Sequence, residues 1–362
     1  MVAEKPGEKV LLVQEPRVIA FNDYAPDPLR EGFVRIKTLY SGISAGTEMT
    51  IYRGSNPYGH KRWDVNLKLF LSASEDPRFY PAPLGYEQVG YVAEVAAGVG
   101  EVAVGDLVYG SWGHRTEAVL PAHVAQSNRF GPSEDPRHGI FARSGAIALN
   151  GILDAGINVG EAVAVFGAGV IGLLCMALAH LSGAKVIAVD INPERLRHAE
   201  PFSDEQISSD AALRIKEGTR GRGADTVIEA TGSDSALNEA IRSVAYAGRV
   251  VSLGFYQNNA QGLYLGEEFH HNRVQILCSQ IGAVNPALSY RWDVPRLEHT
   301  VMALQEAERL ELTRLITHEV PFCEAAFAYR LLDEHPDTAV QIVLTFPEAL
   351  DAYHQIIGQE TP

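Results

Sequence analysis

The sequence predicts an α/β protein of two domains, one β-rich and one built on a doubly wound parallel sheet. An apolar run at residues 162–166 leads into a glycine turn, a helical apolar pattern and a second β-branched run at residues 186–189, which is the order of a βαβ unit. From residue 9 to about residue 125, short β-type runs are separated by Gly, Pro and Asp, which predicts a barrel-like region. A chain of 362 residues is too long for one ordinary core and suits two domains.

Strands and helices continue to alternate after the βαβ unit. Residues 225–229 and 249–253 read as buried parallel strands, with a helix at 234–246 between them, and residues 274–280 read as the last strand. After residue 282 the pattern changes to helix (295–309), strand (316–320), helix (323–333) and strand (340–346). We expect this tail to return to the first domain. The predicted boundaries are therefore 1–146 completed by 283–362 for the β-rich domain, and 147–282 for the parallel-sheet domain.

The turn at residues 167–172 has the spacing of a dinucleotide-binding motif: Gly167-Ala168-Gly169-Val170-Ile171-Gly172. The first glycine permits the tight turn, the second lets a pyrophosphate approach the backbone, and the third lets the helix pack on its strand. The helix N-terminus supplies free N–H groups and a positive dipole end. Asp190 ends the second strand, where its carboxylate can accept ribose hydroxyls and would repel a 2′-phosphate, so NAD is favoured over NADP. Thr231, Gly254 and Phe255 follow later strands and are further candidates for cofactor contact.

Composition and charge favour a small-molecule substrate. A net charge of -15 without a basic patch argues against binding to nucleic acid or to an anionic membrane. Residues 162–184 carry no charge and are long enough to span a bilayer, but the glycines and His180 interrupt them, and a buried α/β core is the better interpretation. The three cysteines are far apart and suggest neither a disulfide framework nor a metal cluster. The first residues resemble no signal peptide, so a cytoplasmic location is expected.

Two further stretches allow more than one interpretation. Residues 58–83 form a long aromatic segment without clean periodicity, which is either a packed lid over a site or an insertion that covers its own apolar patch. The run Glu267-Glu268-Phe269-His270-His271 is a dense cluster of potential metal ligands. Adjacent histidines point in different directions, so we expect a loop between the last two strands of the parallel sheet rather than a metal site.

Several ordered motifs together resemble the medium-chain dehydrogenase/reductase superfamily, in its zinc-type alcohol dehydrogenase-like form. They are residues 41–48 (SGISAGTE), 85–87 (GYE) with Gly90, 104–108 (VGDLV), the glycine turn, 190–195 (DINPER) and 229–232 (EATG). The resemblance covers essentially the whole chain and implies a GroES-like catalytic domain with an inserted Rossmann domain. It also implies a homodimer formed through residues 274–280, or a homotetramer of such dimers. The string Ser-Ala-Gly-Thr-Glu is similar to one in hydroxyethyl-bacteriochlorophyllide dehydrogenases.

The chain departs from this family at the metal ligands. The resemblance places Ser44, Tyr86 and Arg143 where zinc-containing members carry ligands, and the four-cysteine structural zinc lobe is missing. Because zinc needs S, N or carboxylate donors, the sequence indicates a zinc-free branch. We hypothesise that Tyr86 exchanges a proton with the substrate oxygen, that the Arg143 cation lowers the pKa of Tyr86, and that Glu87 stands behind them. Thr47 aligns approximately with the family's proton-relay hydroxyl, although Ala45 adds one residue to the local spacing.

Each of these roles has a structural alternative. Arg143 and Glu87 could form an ion pair that fills the former metal site, and Tyr86 could be a packed aromatic whose hydroxyl bonds to the backbone. Arg195 could flank the adenosine ribose, as the family's basic residue does, or be a solvated helix charge. The predicted function is a zinc-independent, NAD-dependent oxidoreductase for an alcohol/carbonyl pair, with a bulky or partly apolar substrate. Enoyl or quinone reduction, or a catalytically inactive nucleotide-binding sensor or scaffold, are the alternatives.

Overall fold

The computed structural model describes residues 7–72, 79–131, 134–257 and 259–358. Its strands are β1 (Glu8–Glu15), β2 (Val18–Tyr24), β3 (Phe33–Ile43), β4 (Lys61–Asp64), β5 (Leu69–Ser72), β6 (Ala82–Pro83), β7 (Glu87–Val95), β8 (Leu107–Gly110), β9 (Glu117–Pro121), β10 (Arg129–Phe130), β11 (Ala162–Phe166), β12 (Lys185–Val189), β13 (Glu205–Ile207), β14 (Ala224–Glu229), β15 (Val244–Ser252), β16 (Gln275–Cys278), β17 (Ile316–Pro321) and β18 (Gln341–Thr345). Its α-helices are α1 (Thr47–Arg53), α2 (Ala122–Ser127), α3 (Phe141–Ala155), α4 (Val170–Leu181), α5 (Pro193–Leu196), α6 (Ala211–Gly218), α7 (Asp234–Ser243), α8 (Val294–Glu306), α9 (Ala325–Glu334) and α10 (Pro347–Gly358).

The chain divides into two compact units, Met1–Ala142 with Ile316–Pro362, and Arg143–Leu315. The first change of unit lies close to the predicted boundary at residue 146. The predicted second boundary, after residue 282, falls inside the second unit, because α8 packs on α3. A Cβ at Gly145 of α3 would lie only 2.5 Å from Cγ1 of Val301 of α8, so this glycine permits close approach of the two helices.

The first unit is the β-rich, GroES-like part of the molecule. One sheet has the strand order β10-β8-β7-β3-β18-β17, with β9 also paired to β3, and a smaller sheet has the order β2-β1-β6. The returning strand β18 pairs with β3 in antiparallel register, Ile342 opposite Ile43. Alternate residues of these strands fill the interior, as expected for sheets with one buried face. The polypeptide therefore returns to complete the sheet that it began.

The aromatic segment is partly a β-hairpin. Strands β4 and β5 pair with each other as a two-stranded sheet, Trp63 opposite Phe70. The turn between them is held by Asp64, whose Oδ1 accepts the N–H groups of Asn66 and Leu67 at 3.0 Å. The rings of Trp63 and Phe70 meet edge to face at 5.0 Å, yet both side chains remain exposed to solvent. This turn interrupts the alternation of polar and apolar residues, so the sequence of the segment shows no clean periodicity. Residues 73–78 lie outside the described residues.

The second unit is a Rossmann fold. Its sheet has the order β13-β12-β11-β14-β15-β16 with every pair parallel. The order reverses between β11 and β14, which is the switch point where open α/β sheets bind their ligands. The stretch weighed above as a membrane span is divided into β11, the glycine turn and α4, a helix of 12 residues. Within the described residues, no helix is both long and apolar enough to cross a bilayer.

Candidate functional sites

The glycine turn lies at the switch point of the Rossmann sheet. Gly167 has φ +100°, a conformation that favours glycine, and a Cβ there would lie 2.8 Å from Cγ2 of Thr231, which follows β14. A Cβ at Gly172 would lie 1.7 Å from the carbonyl oxygen of Gly167, so the third glycine is required by the contact between helix and turn. Gly169, by contrast, has open space around it, which leaves room for a ligand. The helix α4 begins directly after it, with Val170 and Ile171 half-buried in its first turn.

Asp190 joins the end of β12 to this turn. Its Oδ2 accepts the N–H of Ala168 at 2.7 Å, and its Oδ1 accepts the N–H of Asn192 at 2.8 Å. Each carboxylate oxygen has a second lone pair, so both can accept a ribose hydroxyl as well. Arg195 lies half-buried on the short helix α5 that follows.

Glu229, at the end of β14, accepts hydrogen bonds from the residues that follow this strand and from Tyr256. The sequence alone did not indicate this role. One of its oxygens accepts the N–H and hydroxyl of Thr231, and the other accepts the hydroxyl of Tyr256 and the N–H of Gly232 at 3.3 Å. Burial, followed by the charge of Glu229, raises the pKa of Tyr256 well above its usual value.

The two glycines near Glu229 are tightly packed against the neighbouring loop. A Cβ at Gly232 would lie 2.8 Å from the backbone oxygen of Phe255, and one at Gly254 would lie 2.2 Å from the nitrogen of Gly232. Close contacts thus connect five of the predicted cofactor positions with the glycine turn and the loops beside it: Gly167, Asp190, Thr231, Gly254 and Phe255.

In the first unit, the predicted catalytic hydroxyls meet. The hydroxyls of Ser44 and Tyr86 are hydrogen-bonded to each other, and Thr47, the first residue of α1, also bonds to Tyr86. Burial raises the pKa of Tyr86 well above its usual value and Glu87 adds to this rise, while the bonds from Ser44 and Thr47 oppose it. The expectation that the pKa of Tyr86 is lowered is therefore wrong, because loss of solvation outweighs the hydrogen bonds.

Arg143 and Glu87 lie in different units, and each contacts residues of its own unit. Arg143, near the start of α3, forms an ion pair with Glu298 of α8 at 3.2 Å. Glu87 is buried at the start of β7, and its carboxylate occupies the space left free by Gly42, where a Cβ would lie 2.6 Å from Oε2. The charge of Arg143 is thus balanced within the Rossmann unit.

At the positions that the resemblance matches to zinc ligands, the hydroxyls of Ser44 and Tyr86 are hydrogen-bonded to each other. Neutral hydroxyls are not among the thiolate, imidazole and carboxylate donors that usually bind zinc. Among the described residues, no group of three or more His, Cys, Asp or Glu side chains is arranged to hold a metal ion. His270 and His271 follow a helical turn at Leu265–Phe269 between β15 and β16, and their rings lie at 80° to each other.

Comparison with known proteins identifies the family. The family model described as "Zinc-binding dehydrogenase" matches residues 170–295. D-guloside 3-dehydrogenase of Escherichia coli K12 is 30% identical over 354 residues, which cover 93% of this chain and all of that protein. (R,R)-butanediol dehydrogenase of Bacillus subtilis is 27% identical over 270 residues, covering 66% of this chain and 74% of that one.

Solved structures share the fold. The crystal structure of the Bacillus subtilis butanediol dehydrogenase has a TM-score of 0.75 at 20% identity and covers 94% of this chain and 99% of its own. An alcohol dehydrogenase from Escherichia coli CFT073, complexed with NADH, has a TM-score of 0.72 at 22% identity, with 94% and 99% covered. The chain therefore belongs to the medium-chain dehydrogenase/reductase superfamily and is an oxidoreductase of the alcohol dehydrogenase type.

Proposed function

We propose that this oxidoreductase uses NAD and works without zinc on an alcohol/carbonyl pair, with Tyr86 as the group that exchanges a proton with the substrate oxygen. The observation that carries the proposal is the hydrogen-bonded hydroxyl pair of Ser44 and Tyr86, at positions that the resemblance matches to zinc ligands. The preference for NAD is supported by Asp190, whose carboxylate is oriented by the glycine turn and retains lone pairs for two ribose hydroxyls.

Bound nicotinamide would supply or accept the hydride, and the chain's own residues would handle the proton. When a carbonyl is reduced, its oxygen gains an electron pair and must take up a proton. Tyr86 has a raised pKa and is therefore protonated at neutral pH, so it can donate that proton, and the hydroxyl of Ser44 lies beside it. In the opposite direction Tyr86 would have to act as a base, which a raised pKa disfavours. We therefore propose that reduction is favoured at neutral pH and that oxidation accelerates as the pH rises.

The names of the relatives suggest the kind of reacting carbon. D-guloside 3-dehydrogenase and butanediol dehydrogenase are named for secondary alcohols of a glycoside and a diol, and we propose a secondary alcohol or its ketone here. The exposed rings of Trp63 and Phe70 on the β4–β5 hairpin support a substrate that also has an apolar part. Trp63→Ala should raise KM for substrates with an apolar group while leaving KM for a small polyol unchanged. If KM changed equally for both kinds of substrate, the hairpin would have no role in recognising the apolar part of the substrate.

We also propose assembly of dimers through β16. This strand is the last in the Rossmann sheet, and Ile276 on it is exposed. An edge strand of this kind can pair with its copy. Sedimentation of the purified protein as a monomer at micromolar concentration would contradict this proposal.

Replacing one oxygen tests the chemistry. Tyr86→Phe should lower kcat by about 100- to 10,000-fold, whereas Tyr40→Phe, which removes a half-buried hydroxyl elsewhere in the same unit, should not. Full turnover by the Tyr86→Phe enzyme would refute the proton-transfer role. The substrate panel should include enones and quinones beside ketones, because a protonated tyrosine can serve either reaction.

Cofactor and metal are tested separately. Isothermal titration should show tighter binding of NAD than of NADP, and failure to bind either nucleotide would contradict the proposed cofactor. Exhaustive treatment with a chelator should leave activity unchanged. Loss of activity that added zinc restores would overturn the zinc-independent mechanism.

A further inference from the structure

Four buried side chains of the first unit form a continuous hydrogen-bonded chain that the proposed reaction does not use directly. Gln88 Nε2 donates to Ser41 Oγ at 2.9 Å, Ser41 Oγ lies 2.6 Å from Nδ1 of His114, and Nε2 of His114 lies 2.8 Å from Oε2 of Glu48. None of the four is more than 1% exposed. Burying a carboxylate with an imidazole is costly unless every polar atom is satisfied, and here each finds a partner.

The backbone defines the orientation of the Gln88 amide. Oε1 of Gln88 accepts the N–H groups of Trp112 at 2.9 Å and Gly113 at 3.2 Å, so the amide nitrogen must be the group that faces Ser41. The Ser41 oxygen therefore accepts a hydrogen bond from Gln88. The four side chains are connected in the order Gln88, Ser41, His114 and Glu48.

This order of serine, histidine and carboxylate is that of a hydrolase triad, but the setting excludes that chemistry. Ser41 lies inside β3 and is 0% exposed, as is His114. A nucleophile must reach its substrate, and among the described residues the hydrogen-bond partners of this buried hydroxyl are Gln88 and His114. Any effect of these four hydrogen-bonded side chains on the reaction must therefore pass through neighbouring residues of the protein.

Two sets of contacts lead from these side chains to Tyr86, one to its hydroxyl and one to the backbone beside it. Oε1 of Glu48 accepts the N–H of Ser44 at 3.0 Å, and the Ser44 hydroxyl is bonded to the Tyr86 hydroxyl. On the backbone side, Gly85 has φ +98°, and a Cβ there would lie 2.8 Å from the nitrogen and 2.9 Å from Cγ of His114. The turn that presents Tyr86 thus rests on His114, while its hydroxyl is held through Ser44 by Glu48.

We propose that Glu48 and His114 are positioning residues that hold the Ser44–Tyr86 hydroxyl pair in its reactive geometry. This inference rests on the proposed role of Tyr86 as the proton-exchanging group. Neither Glu48 nor His114 touches the substrate in this scheme. Their effect on turnover passes through Tyr86, which is the property that an experiment can isolate.

A double-mutant cycle tests this dependence. Glu48→Gln should lower kcat at least tenfold while the Kd for NADH, which reports on the other unit, stays unchanged. In a Tyr86→Phe background, the same substitution should have no further effect on kcat. An equal loss of kcat in both backgrounds would overturn the inference, as would unchanged turnover of the folded Glu48→Gln enzyme. Full turnover of Tyr86→Phe alone would instead overturn the proposed function, so the two failures are distinguishable.

A pH profile supplies a readout that simple loosening of the structure would not move. The hydrogen bond from Ser44 lowers the pKa of Tyr86, and it precedes the opposing effect of the Glu48 charge in size. Release of Ser44 in Glu48→Gln should therefore shift the alkaline rise of alcohol oxidation to higher pH. An unshifted profile would count against the proposal. Tyr40→Phe, which removes a half-buried hydroxyl elsewhere in the same unit, should leave both kcat and the pH profile unchanged.

If Glu48→Gln fails to fold, Ser41→Ala provides a smaller perturbation. It deletes the hydroxyl that is hydrogen-bonded to His114 and leaves Glu48 in place. We expect a loss of kcat of several-fold that again disappears in the Tyr86→Phe background. A loss that persists there would overturn the inference.

Discussion

Asp190→Asn should weaken NAD binding and reduce the preference for NAD over NADP. In the structure the two carboxylate oxygens accept backbone N–H groups of Ala168 and Asn192 at 2.7 and 2.8 Å. An amide of the same shape has one oxygen and one NH₂ group. It can therefore keep only one of these two bonds, and it can accept only one of the two ribose hydroxyls with its oxygen.

The size of the effect follows from the bond that is lost. A hydrogen bond to a charged group contributes about 1.5–3 kcal/mol, which corresponds to an increase of about 10- to 150-fold in Kd for NAD. Removing the negative charge also removes repulsion of a 2′-phosphate, which amounts to about 1–3 kcal/mol for unit charges about 5 Å apart near a protein surface. NADP should therefore bind as tightly as before or more tightly.

Isothermal titration of both nucleotides against wild-type and Asp190→Asn protein measures these changes. Asp204→Asn is the matched control, because Asp204 accepts the N–H of Val186 at 2.8 Å near the opposite end of β12. It should leave both dissociation constants unchanged. If Asp190→Asn lowered the unfolding free energy but left Kd for NAD within twofold of wild type, Asp190 would be a turn former only, and the argument for NAD would fail.

Two further predictions concern packing and ionisation. Gly172→Ala forces a methyl group against the carbonyl oxygen of Gly167 and should lower the unfolding free energy by about 3 kcal/mol or more, as measured by urea unfolding. Gly169→Ala meets nothing within 4 Å and should retain stability while weakening NAD binding, so equal stabilities of the two variants would contradict the packing argument. Burial and Glu48 raise the pKa of Tyr329, so the folded state keeps this proton longer than the unfolded chain. Its contribution to stability is complete below about pH 10 and is lost above it. Tyr329→Phe should therefore lose stability less steeply than wild type above pH 10, by up to about 1.4 kcal/mol per pH unit, and parallel slopes in unfolding experiments would refute the assignment.

The nucleotide-binding half was predictable because its signals are local. The glycine spacing, the helix after it and Asp190 all lie within one βαβ unit, where steric limits on backbone angles determine what each residue can do. The structure confirms β11, α4 and β12 and the switch point beside them. Helix ends were less predictable: α7 ends at Ser243 rather than residue 246, and β15 begins at once. Pairing of β15 with its neighbour overrides the local helical pattern there.

Other features could be decided only by contacts between distant segments. The raised pKa of Tyr86 depends on how fully its hydroxyl is desolvated, which no local pattern reports. The chain from Gln88 through Ser41 and His114 to Glu48 joins residues up to 73 positions apart. In the sequence, Ser41 and Glu48 belong to one motif, Gln88 directly follows another, and His114 is an isolated histidine.

The sequence by itself determined the fold family and the place of the cofactor motif, because backbone geometry and apolar periodicity act over a few residues. Only the tertiary structure decided which polar groups are buried together and how they are hydrogen-bonded to one another. Desolvation and hydrogen-bond satisfaction are properties of the assembled interior, and they depend on every segment that contributes a wall to it.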